Sequence, residues 1–302
     1  MVRALLSLLL LPVLAACAAV PPRLLAGGGC MLEQQAELPL QNMRNFLLAP
    51  VSLNGRTALF VVDTGAEAST LTPEAARSLH LPRDPGRGSV LIGIAGTIRT
   101  GNVRVRSFAV GDVVRTDQSI GIGDMPGFPG TVPPVAGLLG ADLLSGYEVE
   151  LDLPGGRMSL YTLHGCGAGF TPWPGAVAVP MVRTRSGLVF VDAIVDGVPV
   201  RALLDTGART TLLARDTAAG LGISAAMLAH DPRRIGIGIG MGDIDFRQHR
   251  FAELGLPGAI GRDVAANVAD LHLPGVAMLL GADYLGPRRI WISYATGRLF
   301  LR

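Results

Sequence analysis

The tripeptide Asp-Thr-Gly occurs twice in this chain, at residues 63–65 and 205–207. An apolar run precedes each copy, and an alanine follows it, Ala66 in the first and Ala208 in the second. A single Asp-Thr-Gly predicts no more than a turn, because Asp and Gly both favour turns. Two copies in matching surroundings indicate that one structural plan occurs twice, and this constrains the fold more than any other feature.

The sequences around the two tripeptides repeat as well. A two-residue hairpin signal precedes each copy, a short helical pattern follows it, and a Leu-Leu-Gly-Ala-Asp block and a closing hairpin come later. These features are residues 54–55, 73–79, 138–142 and 156–157 in the first half, and residues 196–197, 215–221, 279–283 and 297–298 in the second. Their spacing is almost the same in both halves, which predicts two copies of one supersecondary unit.

Composition favours β-structure. The chain has 302 residues, 49% of them apolar, which is enough for two domains with real cores. Its 40 glycines and 21 prolines, with few long helical periods, favour strands joined by turns. Short aliphatic runs predict many strands, among them Phe46–Leu53, Val198–Leu204 and two separate strands at 97–105 and 107–110.

Asp63 and Asp205 are the acids that stand in this matched context. One carboxylate cannot act as acid and base in the same step, whereas two that share a proton can. If the fold brings both together, their like charges raise one pKa and lower the other. The pair could then activate a water molecule against a peptide carbonyl.

With these motifs the chain resembles the retropepsin-like aspartic proteases, in which two protomers normally build one site. Both protomers would here be fused in tandem, as in the bilobal pepsin-like enzymes. The resemblance covers about residues 45–162 and 186–302. It implies an all-β fold with two pseudo-symmetric retropepsin/pepsin-like lobes and few short helices. It also implies an aspartic endopeptidase that acts on peptide or protein substrates, needs no cofactor or metal, and works as a monomer.

The resemblance assigns supporting roles to the residues around the aspartates. It implies that each threonine hydroxyl bonds to the backbone of the opposite loop, and that each glycine lets the loops approach. The loop-support residues are Thr64, Gly65, Ala66, Thr206, Gly207 and Ala208. The alanines stand where pepsin-like enzymes usually have Ser or Thr. Without that hydroxyl donor, we expect activity in the mildly acidic range.

A glycine-bearing hairpin, the flap, should cover the cleft in each lobe. The flap candidates are Gly93, Ile94, Gly96, Gly238, Ile239 and Gly240. Neither segment contains a tyrosine, so two flaps fit better than the single flap of pepsin-like enzymes. A reading of the apolar residues as ordinary buried strands stays open.

Other positions near the motifs have simpler interpretations. The strands that begin the Leu-Leu-Gly-Ala-Asp blocks should pass beneath the active loops, and Asp142 and Asp283 should cap the short helices that follow. Glu67 and Arg209 come directly after the alanines. They either flank the two ends of the cleft with opposite charges or are solvated surface residues.

Charge and residue usage exclude several kinds of site. The net charge is +2, and no basic patch is interleaved with aromatics, so nucleic acid is not an expected partner. All 26 basic residues are arginines, which excludes a phosphate-loop lysine and a Schiff base. The glycines of residues 236–242 do not match the dinucleotide-binding spacing, and the five histidines have no metal-ligand spacing.

The N-terminus resembles a bacterial lipoprotein signal. Arg3 precedes an apolar run too short to span a bilayer, and the run ends in a lipobox at Cys17. Lipidation of Cys17 would anchor the protein at the periplasmic face of the outer membrane. The alternative is an ordinary cleaved signal with a chance cysteine. The predicted divisions are a signal peptide (1–17), a tether (18–44), a first lobe (45–164), a linker (165–180) and a second lobe (181–302).

Two further cysteines, Cys30 and Cys166, either form a disulfide or remain free thiols. An exported protein would meet an oxidising compartment, which favours the bond. Two other functions also stay open. A catalytically silent peptide-binding or scaffold lipoprotein would keep the fold without the chemistry. A transport or envelope-structural lipoprotein would share the export signal but have no reason to repeat Asp-Thr-Gly-Ala.

Overall fold

The computed structural model describes residues 23–24, 30–123, 134–238 and 243–302. Strands make up 58% of it and helices 10%, so the prediction of an all-β fold with few short helices is confirmed. The strands of the first half are β1 (Arg23–Leu24), β2 (Met31–Pro39), β3 (Gln41–Met43), β4 (Phe46–Leu53), β5 (Arg56–Val62), β6 (Thr70–Leu71), β7 (Arg83–Gly93), β8 (Gly96–Val110), β9 (Val113–Ile122), β10 (Val135–Leu139), β11 (Glu148–Asp152) and β12 (Arg157–His164). Those of the second half are β13 (Val177–Arg183), β14 (Val189–Val195), β15 (Val198–Leu204), β16 (Leu212–Ala214), β17 (Arg233–Ile237), β18 (Asp243–Leu256), β19 (Ala259–Ala269), β20 (Met278–Leu280), β21 (Arg289–Ser293) and β22 (Arg298–Leu301). The helices are α1 (Pro73–Ser78), α2 (Ala141–Leu144), α3 (Arg215–Gly220), α4 (Ala225–His230) and α5 (Ala282–Leu285).

Each half of the chain arranges eight strands in the same order. In the first half the order is β3-β4-β5-β10-β6-β9-β8-β7, and in the second it is β13-β14-β15-β20-β16-β19-β18-β17. The two orders correspond strand for strand. The sequence repeat is therefore a structural repeat, and the two lobes are pseudo-symmetric.

A tight hairpin turn precedes each of the strands that lead into the two Asp-Thr-Gly tripeptides. The turn between β4 and β5 contains Asn54 and Gly55, with φ of 52° and 84°, and the turn between β14 and β15 contains Asp196 and Gly197, with φ of 47° and 79°. Positive φ at both central residues is the geometry that Asn-Gly and Asp-Gly favour in hairpins. The two hairpin predictions are confirmed.

The Leu-Leu-Gly blocks form strands beside the same hairpins. Leu139 in β10 lies opposite Val62 in β5, and the two strands are parallel. Leu280 in β20 lies opposite Leu204 in β15, again in parallel. All four side chains are fully buried. The prediction that these blocks are core strands beneath the active loops is confirmed.

A run of strands from both lobes forms a sheet that joins them. Its order is β2-β12-β11-β21-β22-β13, with β11 and β21 antiparallel at the centre. Pro39 of β2 lies opposite Arg157 of β12, and Pro180 of β13 lies opposite Arg298 of β22. The two ends of this sheet are therefore equivalent. β2 and β3 together correspond to β13, which pairs with β22 through its first part and with β14 through its second.

This sheet corrects the predicted domain boundaries. The tether predicted at 18–44 is wrong for residues 31–43, because they form β2 and β3, and Ala36 and Leu38 are buried. The linker predicted at 165–180 likewise ends too late, since β13 begins at Val177. The exposed face of β2 is rich in Glu and Gln, and its partner β12 is far away in sequence. The residues of β2 therefore contain no local pattern that predicts a strand.

An aromatic cluster covers one face of the joining sheet. Phe170 and Trp173, from the segment between the lobes, pack against Trp291 with ring centroids 5.8 and 6.0 Å away. Cys30 and Cys166 lie against this cluster and are joined by a disulfide. The bond joins the start of β2 to the segment between the lobes. In the chain-entropy account, closing a loop of 136 residues stabilises a fold by roughly 4–5 kcal/mol.

Two buried glutamates on β11 connect the lobes within the joining sheet. Glu148 accepts hydrogen bonds from the indole Nε1 of Trp291 and the backbone nitrogen of Ala295, both at 2.9 Å. Glu150 forms an ion pair with Arg289. All of these partners belong to the second lobe, so polar as well as apolar contacts fix how the lobes meet.

The predicted helices were found, but α4 was missed, and the strand predictions were uneven. The helical patterns at 73–79 and 215–221 correspond to α1 and α3, and the bounds of β4 and β15 match their predictions. The strands predicted at 97–105 and 107–110 are one continuous strand, β8, and β9 and β19 were missed. Within the described ranges, no helix has the length and apolar character needed to cross a bilayer.

Candidate active site

Asp63 and Asp205 begin equivalent loops at the ends of β5 and β15. The backbone nitrogen of Asp63 donates to the carbonyl of Leu139 at 3.0 Å, and that of Asp205 donates to the carbonyl of Leu280 at 3.1 Å. Each aspartate is thereby fixed to the parallel strand beside it. The core strands of each lobe thus set where the carboxylate stands.

Thr64 and Thr206 link the two loops to each other. The Thr64 hydroxyl donates to the carbonyl of Leu204 at 2.7 Å and accepts from the backbone nitrogen of Thr206 at 3.1 Å. The Thr206 hydroxyl donates to the carbonyl of Val62 at 2.6 Å and accepts from the nitrogen of Thr64 at 3.0 Å. Both threonines are fully buried. The four bonds are the cross-loop contacts that the family resemblance implied.

Gly65 and Gly207 allow the two carboxylates to meet. A Cβ at Gly65 would lie 2.5 Å from the carboxylate carbon of Asp205, and a Cβ at Gly207 would overlap the carboxylate of Asp63. Each aspartate therefore fills the space that a side chain on the opposite loop would need. Glycine is required here by close approach rather than by backbone conformation.

The two aspartates have unequal surroundings. Asp63 is buried, at 7% exposure, and its Oδ1 accepts from the backbone nitrogen of Gly65 at 2.9 Å. Asp205 is partly exposed, and its Oδ1 accepts from two nitrogens, those of Gly207 at 3.0 Å and Ala208 at 2.9 Å. A carboxylate with more access to water is easier to ionise.

The pKa values of the pair follow from these surroundings. Burial raises the pKa of Asp63 well above its usual value, and the negative charge of Asp205 raises it further. Burial also raises the pKa of Asp205. Backbone nitrogens oppose the rise at both residues, those of Gly65 and Ala66 at Asp63 and those of Ala208 and Gly207 at Asp205, so the charge of the partner makes the difference. The geometry therefore favours a proton on Asp63 and a charge on Asp205.

Ala66 and Ala208 leave the carboxylates without a side-chain donor at that position. Each packs against an apolar cluster of its own lobe, and each backbone carbonyl accepts a hydrogen bond at 2.8 Å, from Ala141 or Ala282. The clusters contain Leu48, Val61, Val135 and Leu138 in the first lobe, and Leu203, Leu212, Ile244, Ala269 and Leu279 in the second. The carboxylates thus accept hydrogen bonds from backbone groups, and the residues around these loops are apolar.

Asp142 and Asp283 do not cap their helices as predicted. The N-caps of α2 and α5 are glycines without a side-chain cap. Asp142 instead accepts from the nitrogen and hydroxyl of Ser69, at 2.9 and 2.8 Å, and Asp283 accepts in the same way from Thr211, at 2.8 and 2.7 Å. These bonds tie the end of each active loop to the following helix.

Sequence reasoning missed Ser69 and Thr211 as loop supports. Their hydroxyls also accept from the nitrogens of Gly140 and Gly281, at 3.0 and 3.2 Å. A Ser or Thr at the same offset after each Asp-Thr-Gly was the available signal. It was weak because these residues are common near turns.

Glu67 and Arg209 each contact the opposite lobe. Glu67 accepts from the Ser186 hydroxyl at 2.7 Å, and Arg209 donates to the carbonyl of Arg44 at 2.9 Å. The Arg209 guanidinium also lies 5.1 Å from the ring centre of Phe46. Both side chains remain exposed, so they are interlobe contacts at the surface rather than isolated solvated charges.

The first flap candidate is the tip of a hairpin. Gly93 in β7 pairs with Gly96 in β8, and Ile94 and Ala95 form the turn between them. These two turn residues pack against the apolar cluster of the second lobe. The hairpin therefore reaches from one lobe to the other.

The second flap candidate lies at the equivalent place in the second lobe. Strands β17 and β18 form an antiparallel hairpin, and Gly238 follows β17 directly. Ile239 and Gly240, the other candidates, lie outside the described residues, as does Cys17. In the described part of the chain, no group of three or more His, Cys, Asp or Glu could hold a metal ion.

Comparison with known families agrees with this geometry. The model of a family described as aspartyl protease matches residues 49–143, and that of the gag-polyprotein aspartyl proteases matches residues 191–287. Each match includes one Asp-Thr-Gly loop and the following Leu-Leu-Gly block. A comparison with curated proteins found no match. The chain belongs to the aspartyl proteases and consists of two retropepsin-like repeats fused in tandem.

Proposed function

We propose that this protein is an aspartic endopeptidase in which Asp63 and Asp205 activate one water molecule between them. The observation that carries the proposal is the close approach of the two carboxylates, each filling the space above the other loop's glycine. A single chain supplies both loops, so a monomer is sufficient. Membership of the aspartyl protease families supports peptides or proteins as the substrate class.

The unequal surroundings of the aspartates suggest their roles. Asp205, the more exposed of the two, takes a proton from the water, and the water oxygen attacks the peptide carbonyl carbon. Asp63 donates its proton to the carbonyl oxygen, which gives a neutral tetrahedral diol. Asp205 then passes its proton to the leaving nitrogen, and Asp63 recovers a proton from the diol as the C–N bond breaks.

The same assignment predicts how activity depends on pH. Catalysis requires one proton on the pair, so the rate falls when both aspartates are protonated and when both are ionised. Because burial raises the pKa of both residues, the rate maximum should lie in mildly acidic rather than strongly acidic solution. A rate maximum near pH 2 would contradict this assignment.

The decisive experiment compares wild type with Asp63→Asn and Asp205→Asn on a mixed peptide library between pH 3 and 8. Each variant should lose at least about a thousandfold in rate, because neither can divide the acid and base roles. Asp112→Asn is a matched control, since Asp112 is exposed in the turn between β8 and β9. Activity retained by both site variants would refute the proposal. Tight binding of a statine-type peptide without cleavage would instead support a peptide-binding protein.

We also propose export and lipidation at Cys17. The signal-like N-terminus supports this, and so does the disulfide between Cys30 and Cys166, because such bonds persist in oxidising compartments. In a Gram-negative host, the chain should incorporate labelled palmitate and lose the label in Cys17→Ser. Unlabelled wild-type protein recovered in the soluble fraction would exclude the anchor.

A further inference from the structure

The tip of the first flap makes two specific contacts with the second lobe. A Cβ on Gly238 would overlap the Ile94 side chain, so the missing side chain at Gly238 is what makes room for Ile94. The Nδ1 atom of His272 lies 3.2 Å from the backbone carbonyl oxygen of Ile94. One contact holds the tip by its side chain and the other by its backbone.

These contacts come from two separate elements of the second lobe. Gly238 directly follows the strand β17 of the second flap, whereas His272 lies between β19 and β20. Around them, Ile94 and Ala95 pack against the second lobe's apolar cluster, which includes Ile244. The tip is therefore seated in a socket, which we define as Gly238, His272 and Ile244.

We infer that Gly238 and His272 are positioning residues that seat the first flap and keep it closed over the cleft. The inference rests on the proposed function, because a closed flap matters only if peptides enter beneath it. An endopeptidase must admit a substrate segment that has chain on both sides. Such a segment cannot enter the cleft by way of a free chain end. The flap tip must leave its socket before such a segment can enter, so the seated fraction limits the rate of entry.

The chemistry of the His272 contact can be reproduced by another side chain. A carbonyl oxygen only accepts, so Nδ1 must carry the hydrogen, which both a neutral tautomer and the charged ring allow. An asparagine amide places an N–H close to the position of Nδ1, whereas alanine has no donor. His272→Asn should therefore keep the bond that His272→Ala loses.

The first test measures the association rate of a statine-type peptide by stopped flow, together with amide hydrogen exchange at residues 93–96. His272→Ala should raise both rates about fivefold, the usual effect of one hydrogen bond, and His272→Asn should restore them. His230→Ala is the control, because His230 makes the same Nδ1-to-carbonyl contact, at 2.8 Å to Ala226, on helix α4. Equal effects of His272→Ala and His230→Ala would overturn the inference.

The second test uses the fit between Ile94 and Gly238. Gly238→Ala should unseat the tip and raise both rates, because its methyl group takes the space of the Ile94 side chain. Ile94→Ala removes that side chain, so the double variant should lie closer to wild type than the two single effects combined. Additive effects would overturn the inference. If the peptide fails to bind wild type, the proposed function fails, and exchange at the tip alone still tests the socket.

Discussion

The two Asp-Thr-Gly loops have the same backbone bonds but hold their carboxylates in different environments. Both use the same bond to a neighbouring strand and the same pair of threonine bonds. Yet Asp63 is buried, whereas Asp205 is partly exposed. The symmetric bonds fix the distance between the carboxylates, and the asymmetric surroundings decide which of them keeps the proton.

Fusion of the two repeats explains why this difference can exist. Two identical protomers must present identical loops on average, so an assignment of acid and base would be arbitrary. In one chain each loop has its own surroundings, and here Asp63 is buried whereas Asp205 is partly exposed. The pair can therefore be polarised before any substrate binds.

The largest expected effect tests the cross-loop threonine bonds, which are the same in both loops. Thr64→Val and Thr206→Val should each lower the free energy of unfolding by about 3 kcal/mol, because each leaves a buried carbonyl and a buried N–H without a partner. Urea unfolding would measure this, and Thr→Ser at each site should retain most of the stability. A large loss at one site and none at the other would show that the cross-loop bonds are not equivalent.

The glycines test the same symmetry through activity. Gly65→Ala and Gly207→Ala should each reduce kcat at least about a hundredfold, because the new methyl group must displace the opposite aspartate. Peptide cleavage would measure kcat, and circular dichroism would verify that the variants fold. Near wild-type kcat in either variant would mean that the carboxylates need not approach so closely.

The asymmetric part is tested by stability at different pH values. The folded-state pKa of each aspartate is raised above the unfolded value near 3.8, so each contributes stability at low pH that is lost as pH rises through the folded pKa. Asparagine cannot ionise and escapes this loss. At pH 7, Asp63→Asn should be more stable than wild type, and Asp205→Asn should gain less, because the pKa of Asp63 is raised further.

The gains should disappear in denaturant titrations near pH 3, where the wild-type carboxyls are protonated in both states. Equal gains at pH 7 would remove the basis for the assignment of roles. A gain that persisted at pH 3 would point to packing rather than charge.

The smallest effect concerns the charged residues after each loop. Arg209→Gln should cost less than about 1 kcal/mol, and Glu67→Gln should cost less still, because Arg209 loses a charged donor and a contact with Phe46 while Glu67 loses one exposed bond. Thermal unfolding at low and high salt would measure both. The opposite ranking would show that Glu67 is the more important interlobe contact.

Sequence patterns predicted what local chemistry controls. The Asn54-Gly55 and Asp196-Gly197 turns, the helix beginning at Pro73 and the core strands before Gly140 and Gly281 all follow from nearby residues. Strand β2 was missed because its partner lies more than a hundred residues away. The partners of Asp142 and Asp283 were assigned wrongly for the same reason, since Ser69 and Thr211 lie on distant segments.

The sequence by itself determined that the chain holds two copies of one unit, that each copy carries one aspartate, and that glycine and threonine stand beside it. Those conclusions depend on residue identity and spacing, which are present before folding. Only the tertiary structure decided which aspartate is more deeply buried, which nitrogens face it, and where the first flap is seated. Burial and the seat of the flap depend on groups from distant segments, and the nitrogens that face each carboxylate depend on how its own loop turns, so residue identity and spacing alone do not decide them.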